Sequence, residues 1–142
     1  MLTSALAAIC DMLGTQTAAE VFLGLPDNNA PGIYVWPWRL GQNVVSKNAP
    51  PVRTTPPDIR PPVASDVTIH FLVLVKPALT ADGLSKLDAA RQAILDHPIL
   101  NVDGKDTELL ITSLSHPDLA ALFTAASLPL TICLSATLRE KL

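Results

Sequence analysis

The sequence predicts an α+β fold: a mixed, mainly antiparallel sheet of about four to five strands, covered by about three helices and interrupted by a long Pro-rich arm. Three observations lead there. Stretches with two-residue alternation or short apolar runs, read as strands, are interspersed with stretches of three- and four-residue apolar spacing, read as helices. Nearly half of the 142 residues are apolar and only 16% are charged, so the chain has the means to bury a core. Six of the thirteen prolines crowd into residues 41–65, where neither helix nor central strand survives. The length suits one domain over residues 1–142, with 41–65 as an extended arm within it.

The elements follow in order. Leu2, Leu6, Ile9 and Leu13 predict a helix over residues 4–13, with Gly14 placed to stop it. "AAEVFLGLP" is a short strand ended by Gly24 and Pro26, and "DNNAPG" is a turn. In "GIYVWPWRL" the aromatics Tyr34, Trp36 and Trp38 share one strand face, and Pro37 implies an edge strand or a bulge. Such a stripe either covers the core or anchors a partner, since Trp and Tyr combine apolar area with a polar tip.

"GQNVVSKNAPPVRTTPPDIRPPVAS" carries three Pro-Pro pairs with Arg53 and Arg60 between them. Its stiffness lowers the entropy lost on docking, which favours an arm that orders on a neighbouring subunit over a floppy insertion. "SDVTIHFLVLVKP" is a central strand, with His70 on its polar side. "TADGLSKLDAARQAILDHP" is an amphipathic helix capped by Thr80, its buried stripe read as Leu84, Leu87, Ala90, Ile94 and Leu95. Asp82 and Asp88 fall on its solvent face. Asp103-Gly104 signals a hairpin-type turn before the strand "TELLITSL". The chain closes with a helix over "HPDLAALFTAA" and the strand "LPLTICLSATLR", whose Leu130, Ile132, Leu134, Ala136 and Leu138 face one way.

The histidines pose the sharpest chemical question, because two of the three precede proline. His97 ends a helix, where an imidazole can bond free carbonyls and Pro98 blocks continuation. Ser115 caps the next helix, with Pro117 in its first turn and Asp118 at the positive end of its dipole. Both His-Pro pairs are thus punctuation. Cys10 and Cys133 match no metal or redox spacing and read as free thiols buried in a reducing cytoplasm. With no P-loop, GxGxxG or GxSxG, no catalytic group, metal or cofactor is expected.

A net charge of -3 and a pI near 5.4 argue against nucleic acid as principal ligand. The longest apolar run, "FLVLV", is far short of a membrane span, and the N-terminus lacks the basic region of a signal peptide. So charge-poor a surface fits a subunit that covers part of itself with partners.

Three stretches bear a resemblance. "GIYVWPWRLGQNVVSKNAPPVR", "VTIHFLVLVKP" and the helix–strand–helix–strand run from "LDAARQAILDHPILN" to "SATLR" resemble the tail-terminator (cap) proteins of contractile injection systems. The resemblance covers most of residues 31–139 and lies in the order of elements, since that family has no catalytic signature. It implies a non-enzymatic subunit of a ring, usually hexameric, that closes the inner tube and engages the last sheath layer. The implied partners are the chain itself, the tube protein and the sheath protein, with assembly in a bacterial cytoplasm and no membrane contact. Residues 34–39 and 42–62 become the expected contacts, with Tyr34, Trp36, Trp38, Arg39, Arg53 and Arg60 as candidate interface residues. The arm departs from the family in having few arginines among its Pro-Pro pairs. The rival readings are a monomeric adaptor that binds peptides along the aromatic strand and, less favoured, a small-molecule-binding α+β domain.

Overall fold

A computed structural model describes residues 2–25, 30–42 and 67–140. Among these residues three helices and six strands follow in chain order: α1 (Leu2–Thr17), β1 (Val21–Leu23), β2 (Gly32–Gln42), β3 (Val67–Lys76), α2 (Ala81–Asp96), β4 (Ile99–Val102), β5 (Lys105–Thr112), α3 (His116–Ala125) and β6 (Leu134–Glu140). The strands form one sheet in the order β1-β2-β3-β6-β5-β4. Only β1 runs parallel to its neighbour; every other pairing is antiparallel, which gives the predicted mixed, mainly antiparallel sheet.

The helices lie on both faces. α1 and α2 cover one, burying Leu6, Ile9, Leu13, Leu87 and Ile94 against Ile33, Val35, Ile69, Phe71 and Val73 of the central strands. The opposite face carries Tyr34, Trp36, Leu72 and Leu74, and α3 covers it through Phe123. β3 contributes to both layers, so residues 71–75 are all buried, as its continuous apolar run requires.

Several expectations need correction. The sheet has six strands and not four to five, because β4 is a strand in its own right. Asp103 and Gly104 both take positive φ, 53° and 79°, and form the two-residue primed turn of a hairpin that pairs Ile99 with Glu108. The turn was legible; the four-residue strand before it, with its alternately exposed side chains, was not. α1 runs through Gly14 to Thr17. It stops where Ala18 enters the left-handed region at φ 54°, its N–H bonded to the Gly14 carbonyl, while the Thr17 hydroxyl donates to the Leu13 carbonyl and accepts from Ala19 N–H.

In α2 the cap is Thr80, which accepts from Gly83 N–H at 3.1 Å. The buried stripe, however, is Gly83, Leu87, Ala90, Ala93 and Ile94, while Leu84 and Leu95 are exposed. A close approach of backbone to backbone sets this phase: a Cβ on Gly83 would lie 1.8 Å from the Pro77 carbonyl oxygen, so only glycine lets the first turn pack there. At the C-terminal strand, β6 begins at Leu134, and Leu130 and Ile132 are exposed in the preceding loop. β5 ends at Thr112 opposite Ser135, so alternation upstream of Leu134 has no β5 neighbour to pair with.

The punctuation at the histidines is observed directly. His97 caps α2, its Nδ1–H donating to the Ala93 carbonyl at 2.9 Å. Ser115 caps α3, accepting from Asp118 N–H, with Pro117 in the first turn. The same helix ends with Ser127 at φ 57° and the paired bonds from Ser127 N–H to the Thr124 carbonyl and from Leu128 N–H to the Phe123 carbonyl. Leu128 then packs beside Phe123, closing a Schellman motif.

Candidate interaction surface

Pro37 organises the outer half of β2. The Ile33 N–H bonds to Glu20 and the Val35 carbonyl accepts from Gly24, so both point toward β1. By the two-residue period Pro37 points the same way, but β1 pairs only as far as Val35. Its missing N–H therefore costs no ladder bond. From Trp36 onward the outer side of β2 is an open edge among the described residues. Both sequence readings of Pro37 thus meet here, since the register with β3 also shifts at this point: Pro37 pairs with Phe71 and Arg39 with His70, leaving Trp38 as the extra residue of a β-bulge.

The bulge divides the aromatic stripe. Tyr34 and Trp36 are core residues, 1% and 8% exposed. Tyr34 stacks on Phe22 at 5.0 Å and donates its hydroxyl to the Ala30 carbonyl, while Trp36 meets Phe123 edge-on at 5.6 Å. For these two the structure shows the covering role. Trp38 is only half-buried, and Arg39 beside it is exposed. The indole of Trp38 lies 5.5 Å from the His70 ring. Its Nε1–H is sealed from solvent and finds no hydrogen-bond acceptor among the described residues, a situation that costs about 1–3 kcal/mol. Arg53 and Arg60 lie outside the described residues.

Trp38, Arg39 and His70 form one wall of a groove of about 500 Å³ between the sheet and α3. Leu114, Ala121, Leu122 and Ala125 form the apolar opposite wall, with Asp118 at the helix N-terminus and Thr112, Ser113 and Thr137 completing the polar lining. Partial burial pushes the His70 imidazole below its ordinary 6.5, and the Arg39 guanidinium adds to the effect. The neutral ring leaves Arg39 and Asp118 as the charged groups of the groove. A second cleft, of about 560 Å³, lies at the other end of α3, walled by Leu74, Pro77, Phe123, Leu128 and Pro129. Leu79 and Leu130, on the loops that supply those prolines, are exposed.

Little in this surface suits bond-breaking chemistry. Among the described residues no three His, Cys, Asp or Glu side chains converge to hold a metal. Cys10 and Cys133 are free and half-buried. Burial pushes both thiols up, with the nearby Asp11 adding to the shift at Cys10, so neither has the lowered pKa of a reactive cysteine. No described helix is long and apolar enough to cross a membrane. Sequence reasoning found Trp38 and Arg39 but missed His70 and Asp118 as their companions. Asp118 was visible only as a helix-start residue, and the bulge that turns Trp38 toward His70 was signalled by Pro37 alone.

No protein-family model matches the chain. No curated protein matches it in sequence either. The fold has known counterparts. The sheath/tube terminator of an extracellular contractile injection system (PVC), in its extended state, superposes with a TM-score of 0.68 at 9% identity, over 99% of this chain and 55% of that one. The tube-terminating cap of the anti-feeding prophage superposes with a TM-score of 0.71 at 14% identity, over 99% of this chain and 54% of that one. The chain therefore spans about half the length of these proteins and shares its entire fold with that half. The likeness read from the order of elements is matched in three dimensions.

Proposed function

We propose that the chain is a structural subunit that assembles as a ring, hexameric on the family resemblance, and caps the end of the inner tube of a contractile, phage-tail-like injection particle, where it also meets the terminal sheath layer. The observation that carries this reading is the fold match over 99% of the chain to a sheath/tube terminator and to a tube-terminating cap. The surface supports it. The open outer edge of β2 and the groove beside Trp38 are adhesive features that a closed ring would cover in every copy. Termination is then geometric: one ring face matches the tube and the other offers no site for a further tube subunit. No catalytic step enters.

The tube protein, the sheath protein and other copies of this chain are the proposed partners, met in the bacterial cytoplasm during assembly. Deleting the chain from a producing cell tests the role. The expected result is tubes that lose their defined length, with growth continuing past the normal end. Tubes of unchanged length and number would refute termination. An adaptor that binds peptides as a monomer also fits the groove, and it predicts that same unchanged result.

A further inference from the structure

We infer that α3 is exchanged between copies of this chain: it leaves its own sheet and seats on the face of Tyr34 and Trp36 in an adjacent copy. This rests on the ring assembly proposed above and names its subunit contact.

The receiving face and its occupant are both described. Tyr34, Trp36, Leu72 and Leu74 accept α3 through Phe123, which meets Trp36 edge-on at 5.6 Å. Every copy carries the same face and the same helix, so a face that fits its own α3 fits a neighbour's equally well. The helix is weakly held. α1 and α2 each bury five residues, whereas α3 buries Phe123 alone, with Leu119 and Leu122 half-covered. It is also mechanically separate. Residues 113–133 leave the sheet at Thr112 and return beside Ser135, a paired couple whose hydroxyl oxygens lie 3.0 Å apart. The excursion can swing without disturbing any strand pairing.

Its hinge carries a second structure. In the docked form residues 127–133 are a loop in which Ser127 holds φ 57°, a left-handed conformation costly for serine, and Leu130 and Ile132 are exposed. The same residues alternate as a strand does, and β3 offers the template. It continues to Lys76, beyond Val73, its last residue paired with β6. The register, continued, sets Ile132 opposite Val75, whose peptide groups point to the β6 side as those of Val73 do. The cleft of about 560 Å³ at this end is lined by Val75 and Thr131, so the added strand has room. Extending the hinge relieves Ser127, covers Ile132 and withdraws Leu128 from its packing beside Phe123, which releases α3. At the other end residues 113–115 span at most about 10 Å, so the receiving face lies close to the donor's Thr112. Short, strained hinges of this kind invite exchange between copies. Each copy gives one α3 and takes one, a head-to-tail contact that closes into a ring.

The test uses the full chain, with the photo-reactive residue benzoylphenylalanine in place of Phe123. Chains labelled with ¹⁴N and ¹⁵N are mixed as monomers, brought to assembly and irradiated, and cross-linked peptides are identified by mass. We expect position 123 to join the β2 and β3 segments that bear Trp36 and Leu72. About half of that product should join chains of different isotope, the share that random partnering gives. Ile132→Asp suits the docked loop, where the side chain is 48% exposed, but not a place beside Val75. It should leave the monomer's urea midpoint unchanged and cut the mixed-isotope share about fivefold or more. Products confined to one isotope, mixed products joining position 123 to any other segment, or an undiminished share with Ile132→Asp would overturn the exchange. Leu122 takes the photo-reactive residue instead should circular dichroism show the first variant misfolded. Light scattering on the same samples separates the two claims. Oligomers whose products stay within one isotope refute the exchange and leave the ring standing, whereas a chain monomeric under every assembly condition refutes both.

Discussion

On one side of the sheet α1 and α2, sixteen residues each, lie over the central strands and pack a continuous core from Leu6 to Leu138. On the other side, among the described residues, α3, ten residues long, covers the middle, resting on Phe123 with a groove at each end. The same two strands, β2 and β3, supply both layers, so the difference lies in what is laid over them. The first face is finished within the chain. The second is aromatic and, among the described residues, half-covered, with an indole N–H that finds no partner there. Stability belongs mainly to one face, and the other is the face we propose for assembly.

Matched phenylalanines test that division most strongly. Phe71→Ala removes a side chain with no exposure from the finished face and should cost about 3–5 kcal/mol, a large share of the about 5–15 kcal/mol that holds a domain folded. Phe123→Ala should cost about 3 kcal/mol, with the loss concentrated in α3 because that helix has no other fully buried anchor. Urea unfolding reads the totals. Hydrogen exchange should show α3 amides deprotected in the Phe123 variant while β3 stays protected. Equal, global loss in both variants would contradict the division.

The two tryptophans sharpen it. Trp36→Ala should cost about 3 kcal/mol, since the ring is buried against Phe123. Trp38→Ala should stay within about 1 kcal/mol of the parent, because its indole carries a donor with no acceptor among the described residues. Only the Trp38 variant should fold normally yet fail to assemble, as sedimentation of the two would show.

This split also marks how much the sequence revealed. The sheet class, the cap residues Thr80 and Ser115, the His97 stop and the Asp103-Gly104 turn were legible because each is a local device with a residue-specific cause. The phase of α2 was not. It depends on Gly83 meeting the Pro77 carbonyl, a contact that apolar spacing does not encode. Leu130 and Ile132 alternate as a strand would, but pairing with β3 stops at Leu134 and with β5 at Ser135, and alternation does not encode where pairing stops. Of the candidate interface, Trp38 and Arg39 stand on the groove. Tyr34 and Trp36 do not, because alternation assigned all three aromatics to one face without showing where α3 would sit.

Smaller effects refine the α3 face. Ser115→Ala removes the cap and should cost about 1 kcal/mol, lowering protection in the first turn of α3 before any other element. His70 should titrate below its ordinary 6.5 when followed by NMR, and Arg39→Gln should move the midpoint back upward. The folded-state value is depressed, so the neutral ring's contribution is present above 6.5 and is lost as pH falls through the lower value. Acidification in that window should weaken the groove slightly. A midpoint at or above 6.5 would show the ring more solvated than its packing indicates.

The central claim is that this chain ends a tube, and one experiment addresses it directly. The chain is tagged in a cell that makes contractile tubes, purified under native conditions, and imaged by negative-stain electron microscopy with gold against the tag. The account predicts gold at one end of each tube and nowhere along its length. Gold distributed along the tubes, or a monomeric eluate free of tubes from cells that contain them, would contradict it.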